Sequence, residues 1–345
     1  MKLLITGGAG FIGSNFVHYV LAHHADWRVT VLDKLTYAGN LRNLACAMED
    51  SRFRFIRLDV CDPAGVDALG GCDAVVHFAA ESHVDRSIED GTPFVRTNVE
   101  GTWRLVEACR KAGVGRFLHV STDEVYGSLG PEGAFTETSP LQPTSPYAAS
   151  KAASDVLVLS AVKTHGFPAV ITRCTNNYGP YQFPEKFIPL MISQALAGEQ
   201  LPIYGDGKNV RDWIHVADHC LALDLILRTG KEGEIYNVGG GSELQNIVVA
   251  RKILQLLGRP ESSLKFVADR LAHDRRYALD CTKLKNSLGW EPRWKFEDGL
   301  TDTIRWYQQN SDWLTQTRSG EYKNYFERHY SRREQTFAAT ALRVT

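Results

Sequence analysis

The chain predicts an α/β fold, a doubly wound parallel sheet with a smaller C-terminal domain. Three observations carry that prediction. Short apolar runs alternate with longer helical patterns through the first half; a glycine-rich turn joins the first run to the first helical stretch; and an aspartate follows the second run. Strands covered on both faces read as near-continuous apolar runs, and parallel neighbours need a crossover between them. At 345 residues the chain is long for one core and fits a large domain with a smaller one.

Taken in order, KLLIT (2–6) reads as the first strand and Ser14 to His23 as the first helix. Arg28 to Leu32, Phe53 to Leu58 and Ala74 to Phe78 supply the next three strands, and Thr97 to Ala112 a helix. Arg116 to Ser121 is another strand, Pro146 to His165 a long helix, and Ala169 to Arg173 a further strand. After about Asn176 the texture changes. NNYGPYQFPEKFIP carries three prolines and four aromatics, and LPIYGDGKNVRD is turn-rich, so both predict loops and short elements. WIHVADHCLALDLIL returns to helix and EIYNVG to strand. The expected organisation is a cofactor domain over 1–175, rejoined by about 212–240, a second domain over 176–315, and a tail over 316–345. The tail is rich in Arg, Tyr and Phe, and no function attaches to it from sequence.

Composition is that of an ordinary globular enzyme, 43% hydrophobic and 23% charged. Lys+Arg 39 against Asp+Glu 40 leaves a net charge of -1, which argues against a nucleic-acid or acidic-membrane binder. A small anionic ligand needs only a local cluster of cations. No apolar run approaches the roughly 20 residues that cross a bilayer, and Gly7-Gly8 interrupts the apolar start, which reads as a strand rather than a signal peptide. Seven scattered cysteines without a Cys-x-x-Cys pair fit reduced thiols in a cytoplasmic protein.

Gly7-Gly8-Ala9-Gly10-Phe11-Ile12-Gly13 has the form G-x-x-G-x-x-G between a strand and a helix. Such a turn lets backbone approach a pyrophosphate, and the helix start supplies free N–H groups and a positive dipole end. Asp33, about 20 residues on, can accept from the adenosine ribose hydroxyls and repels a 2′-phosphate, so NAD is expected over NADP. Lys34 beside it weakens that repulsion only slightly. Asp59, with Val60 at the end of the third strand, faces the adenine or caps a helix, and both readings stand.

Tyr147 and Lys151 lie at i and i+4, on one helical face, where a cation can lower the phenol's pKa and make it a base. Together with the glycine-rich turn, this pair resembles the extended short-chain dehydrogenase/reductase superfamily, whose core is a Rossmann-type fold. Ser121-Thr122-Asp123-Glu124-Val125-Tyr126-Gly127 follows directly on a strand, at the edge where α/β enzymes place chemistry. Elimination of water needs an acid for the leaving oxygen and a base for a carbon-bound proton, and Asp123 and Glu124 are two adjacent carboxyls.

That motif, with Ala79-Ala80-Glu81-Ser82-His83-Val84-Asp85-Arg86-Ser87, Asn176-Asn177-Tyr178-Gly179-Pro180, Asp33-Lys34-Leu35-Thr36-Tyr37-Ala38-Gly39-Asn40, Pro184-Glu185-Lys186 and His273-Asp274-Arg275-Arg276-Tyr277, closely resembles the dTDP-glucose 4,6-dehydratase family over nearly all of 1–310. The resemblance implies that Tyr147 takes the sugar O4 proton during hydride transfer to NAD, Glu124 removes the C5 proton, and Asp123 protonates the departing O6. Thr122 would bond the O4 region, and Lys151 the nicotinamide ribose. It implies cofactor contacts at Gly7, Gly10, Phe11, Ile12, Gly13, Asp33, Lys34, Leu35 and Thr36, then at Asp59, Val60, Phe78, Ala79, Ala80, Ser82, Thr97 and Asn177. It implies nucleotide-sugar contacts at Ser82, Thr122, Asn176, Lys186, Phe187, Pro202, Ile203, Tyr204, Arg211 and Asn246, and at His273, Arg275, Arg276 and Tyr277. Arg211, Arg275 and Arg276 can fork onto phosphate oxygens. A homodimer, pairing Thr97–Ala112 and Pro146–His165 with their symmetry mates, is also implied. One departure stands out: the family carries Pro-Gly after the Arg of the last loop, where Leu271-Ala272 follow Arg270 here.

His215 and His219 share i, i+4 spacing but lack the glutamate and third ligand of a metal site, so a packed or capping pair is expected and no metal. Trp290, Trp294, Trp306 and Tyr307 read as core of the C-terminal lobe, and Arg328, Arg332 and Arg333 as a solvated face. The rival readings are a 4-epimerase or decarboxylase of the same superfamily, against which the Asp123-Glu124 pair argues, and a non-catalytic dinucleotide sensor, against which Tyr147 and Lys151 argue.

Overall fold

A computed structural model describes residues 1–62, 71–319 and 324–330. The large sheet is built from β1 (Lys2–Thr6), β2 (Arg28–Asp33), β3 (Phe53–Arg57), β4 (Ala74–His77), β5 (Arg116–Thr122) and β6 (Ala169–Cys174). The chain then makes β7 (Asn176–Tyr178), β8 (Leu201–Tyr204) and β9 (Val210–His215) before returning with β10 (Ile235–Val238). Seven strands pair in the order β10-β6-β5-β4-β1-β2-β3, all parallel. This is the doubly wound, Rossmann-type sheet that the alternation of runs predicts.

Period-two alternation sorts each strand's side chains to opposite faces. Leu3 and Ile5 pack with Phe16, Val20, Leu223 and Ile226, from helices Phe11–His23 and Val216–Thr229. Leu4, between them, packs with Leu105, Val106, Val158 and Ala161, from Thr102–Ala112 and Pro146–His165, on the other face. The Pro146–His165 helix has its expected bounds because its ends are chemically marked. The Ser145 side chain accepts from the Ala148 N–H at 3.1 Å, Pro146 opens the first turn, and Gly166 closes it at φ 61°.

Three expectations change. The helix expected over Thr97–Ala112 is composite: Val95–Gly101 is π-helical and only Thr102–Ala112 is α-helical. In that wide turn the Asn98 amide accepts from the Glu81 N–H at 2.8 Å and donates to the Glu81 carbonyl at 2.9 Å and to Ser150 Oγ at 2.8 Å. A π-turn of this kind often marks a functional position. Trp213 to His215 is not helix but the end of β9, because pairing with β7 overrides its local pattern, while β11 (Glu243–Gln245) pairs with Val210 to Asp212; the return to the large sheet begins at Val216. The aromatics divide. Tyr307 is fully buried in the smaller lobe and Trp306 packs on the same cluster, but Trp290 joins the sheet-side core beside Leu284, and Trp294 is exposed against the His215 ring.

The smaller lobe, which the sequence leaves as loops and short elements, is better ordered than that. β11-β9-β7 form one sheet, and β8 pairs with β12 (Leu264–Val267). Helices Phe187–Ala197, Asn246–Leu256 and Phe296–Gln309 close around Met191, Leu201, Ile253 and Leu300. Asn176 and Asn177 stand where the chain leaves β6 for β7, so both lobes meet there.

Candidate active site

Strand order reverses between β4 and β1, and the carboxyl ends of β1, β2, β4, β5 and β6 open onto one cavity of about 300 Å³. Such a switch point is where open α/β sheets bind ligands. A second cavity of about 130 Å³ adjoins it in the smaller lobe. Glu124, Asn176, Lys186, Phe187 and Trp213 line both.

The first cavity fits a dinucleotide. Gly7 holds φ +70°, and a Cβ there would lie 2.6 Å from the Ala79 backbone nitrogen. A Cβ on Gly13 would lie 2.3 Å from the Gly7 carbonyl oxygen, so helix and turn approach as only glycine allows. The helix begins at Phe11 with no side-chain cap, leaving its first N–H groups for an anion. Asp33 is buried, accepting from the Ala9 N–H at 3.0 Å and the Leu35 N–H at 2.8 Å, which orients the carboxylate at the cavity wall. Burial raises its pKa against those two backbone donors. Lys34 also lines the cavity, reaching Asp59 at 3.4 Å and Thr97 at 3.5 Å.

The expected cofactor positions Gly10, Phe11, Ile12, Thr36, Asp59 and Val60 line this cavity, and so do Phe78, Ala79, Ala80, Ser82, Thr97 and Asn177. Leu35 does not: it sits at φ +59° and contributes the N–H that holds Asp33. Asp59 lines the wall and accepts from the Cys61 N–H at 2.9 Å in a turn; the helix it is expected to cap falls outside the described residues.

Thr122, Asp123, Glu124, Tyr147 and Lys151 come together at the cavity floor. The Thr122 hydroxyl donates to Asp123 Oδ1 at 3.2 Å and accepts the Glu124 N–H at 3.3 Å. The two carboxyls sit in different environments. Burial, then the neighbouring Glu124 and Asp212 charges, push Asp123 well above the usual carboxylate range; its Oδ2 is buried without a partner. Burial also raises Glu124, but Arg270, Lys186 and Arg211 oppose it with positive charge. Both carboxyls are thus raised, Asp123 against Arg211 and Glu124 against three cations, and paired carboxyls in unlike surroundings can divide the acid and base roles.

One expectation fails here. Lys151 does not bring the Tyr147 phenol below its ordinary value. Burial, then Glu124, raise that phenol well above its ordinary value, and the Thr122 hydroxyl opposes them. Lys151 donates to the Val120 carbonyl at 2.9 Å, and burial brings its ammonium down to about 8. A cation so close to losing its proton, and tied to a carbonyl, leaves the phenol to its carboxylate neighbours.

Asn176, Lys186, Phe187, Pro202, Tyr204, Arg211, Asn246, His273 and Tyr277 all line the second cavity. Five of the expected contacts do not: Ser82 and Thr122 line the first cavity instead, and three line neither. Ile203 points into the core of the lobe. Arg275 is exposed and forked on Asp206 at 2.9 and 3.1 Å, and Arg276 is forked on Glu243 at 2.7 and 3.0 Å. The cations facing this cavity are Arg211, Arg270 and Lys186. The sequence offers Arg270 only as a landmark beside the Leu271-Ala272 departure, yet its Nε is buried without a partner. Ala272 adopts φ +49°, the left-handed region in which the family's glycine is at ease. Sequence reasoning also missed Glu81 and Glu185, which line the first cavity from within the motifs that carry the resemblance. It missed Tyr330 of the tail as well, for which no sequence signal exists.

His215 and His219 do not converge. His215 Nδ1 accepts the Ala217 N–H at 3.4 Å as a helix cap, and His219 Nδ1 bonds Asn177 Oδ1 at 2.9 Å. Arg328 pairs with Glu89 at 3.7 Å, while Arg332 and Arg333 lie outside the described residues. Among the described residues no helix is long and apolar enough to cross a membrane.

A Rossmann-type sheet whose switch point carries a dinucleotide cradle, a Tyr-Lys pair and two carboxyls defines the class of nucleotide-sugar-modifying short-chain dehydrogenases. Residues 4–303 match the family model described as GDP-mannose 4,6 dehydratase. Within that class, the chain belongs to the dTDP-glucose 4,6-dehydratase family. It is 52% identical to a dTDP-glucose 4,6-dehydratase of Streptomyces niveus, covering 91% of this chain and 94% of that one. A dTDP-glucose 4,6-dehydratase of Streptomyces venezuelae, solved with NAD bound, superposes with a TM-score of 0.90 at 53% identity, over 92% of this chain and 100% of that one. A UDP-glucuronic acid 4-epimerase of Bacillus cereus, solved with UDP-glucuronic acid and NAD, also shares the fold, with a TM-score of 0.84 at 30% identity, over 90% of this chain and 99% of that one.

Proposed function

We propose that the chain is an NAD-dependent hydro-lyase that converts a nucleoside-diphosphate glucose, dTDP-glucose, to its 4-keto-6-deoxy sugar. The observation that carries this reading is the adjacent, buried Asp123–Glu124 pair in the first cavity, with Glu124 also lining the second. The pyrophosphate of the substrate meets Arg211, Arg270 and Lys186, and the sugar falls at Glu124 and Asn176. NAD supplies the acceptor for the C4 hydride and returns it to C6. Tyr147 takes the O4 proton as C4 is oxidised, with Thr122 beside the same oxygen. Glu124 takes the C5 proton, acidified by the new ketone, while Asp123 gives its proton to O6, which leaves as water. A proton at C5 and the hydride at C6 complete the product.

The fold alone is shared with 4-epimerases, which need no carboxyl pair, so the carboxyls are what separate the two readings. Incubation with dTDP-, UDP- and GDP-glucose, followed by identification of the product, tests the assignment: a 4-epimer, or no turnover of dTDP-glucose, refutes it.

The remaining expectations belong to the same reading. Residues 1–175, with the return through Val216–Val238, hold the cofactor, and 176–315 the nucleotide. A homodimer is supported by an open apolar surface, where Val95, Val99 and Trp103 meet Leu157 across the two helices. Val95 is 58% exposed, costly to leave in water. Sedimentation as a monomer at micromolar concentration counts against it. Free thiols at all seven cysteines fit a reducing, cytoplasmic setting.

A further inference from the structure

No step of the proposed chemistry uses the tail, yet part of it folds back onto the second cavity. Residues 324–330 are helical, and Tyr330 lines the cavity. The segment is tied down on two sides. The Arg86 guanidinium lies between two rings, 3.9 Å from the Tyr37 centroid and 4.0 Å from that of Tyr325. Its Nε donates to Glu185 at 3.2 Å. One cation therefore joins the cofactor loop, the loop before Lys186 and the tail. One turn further, buried His329 has Nε2 3.0 Å from the Tyr204 hydroxyl and Nδ1 3.5 Å from Glu89. The Tyr204 hydroxyl is also 3.2 Å from that of Tyr330, and the two rings are 6.0 Å apart.

We infer that the segment 324–330 completes the nucleoside end of the substrate site, with Tyr330 as a residue that contacts the base. This rests on the reading of the second cavity as the nucleotide site. Arg211 and Arg270 mark where its anionic end lies, and the rest of the wall sets Asp85, Asn246 and His273 among the apolar and aromatic Met191, Pro202, Phe187 and Tyr204. A flat heterocycle fits such a wall, and Tyr330 adds a ring to it from a segment held by its own anchors. Aromatic contacts of this kind tolerate loss of a hydroxyl and not loss of the ring.

The test is calorimetric binding of dTDP and, separately, of inorganic pyrophosphate, to the wild type, Tyr330→Ala, Tyr330→Phe and a chain ending at Lys323. Tyr330→Ala and the shortened chain should bind dTDP about tenfold more weakly, within the range of base–aromatic contacts. Tyr330→Phe should stay within about twofold of wild type. Pyrophosphate affinity and bound NAD should not change, and in turnover KM should rise with kcat nearly constant. Equal dTDP affinity in wild type and Tyr330→Ala overturns the inference alone. An equal loss for pyrophosphate overturns it too, because the tail would then act only through general stability. A wild type that binds pyrophosphate but not dTDP overturns the nucleotide reading of the cavity itself.

Discussion

Glu124→Gln should separate the first half of the reaction from the second. The side chain keeps its length and its place among Lys186, Arg211 and Arg270, but an amide cannot take a proton from C5. General acid–base catalysis contributes about 10²–10⁴ in rate, or about 2.7–5.4 kcal/mol at about 1.36 kcal/mol per decade. Oxidation at C4 depends on Tyr147 and Thr122, which the substitution leaves in place. Mixing with dTDP-glucose should therefore generate enzyme-bound reduced nicotinamide absorbance, with almost no 4-keto-6-deoxy product. Tyr147→Phe should instead slow the appearance of that absorbance. In deuterated water the wild-type product should carry solvent deuterium at C5 and the substrate's own C4 hydrogen at C6. Full dehydration by Glu124→Gln, or a C6 hydrogen drawn from solvent, would refute the reasoning.

Three further outcomes follow from particular contacts. Lys151 loses its proton at about 8 because burial strips water from the ammonium, so its charged fraction falls as pH rises through that value. With this ammonium expected to hold the nicotinamide ribose, NAD affinity should decline above about pH 8, and Lys151→Arg should remove that basic limb; an unchanged limb in the variant counts against Lys151 as its source. Asp33 should make NAD bind at least about tenfold better than NADP, since like charges brought together cost several kcal/mol; equal Kd values refute that role. Ala272 carries a Cβ at φ +49°, a strain of about 1–2 kcal/mol in an L residue. Ala272→Gly, offset by the greater freedom of glycine in the unfolded chain, should raise unfolding free energy by about 0.5–1 kcal/mol. A denaturant midpoint that falls shows the loop to be unstrained.

What the sequence by itself determined is the part governed by near neighbours. A glycine turn between strand and helix, a Ser-Pro helix start with a glycine stop, and two carboxyls at a strand end are all legible because their causes lie within a few residues. The resemblance extended that reading to distant loops but assigned phosphate recognition to Arg275 and Arg276. Only tertiary structure showed those guanidiniums forked on Asp206 and Glu243, with Arg270 turned toward the cavity instead. The failed expectation for Tyr147 has the same origin. Spacing places Lys151 one turn away, but a pKa is set by burial and by every charge nearby, and those come from other strands. The tail is the extreme case: its seven-residue helical stretch has no motif, and it bears on the site because Arg86, Tyr204 and Glu89 meet it after the chain has folded. Local backbone preference can be read along the chain; the composition of a cavity wall is decided where segments far apart in sequence converge.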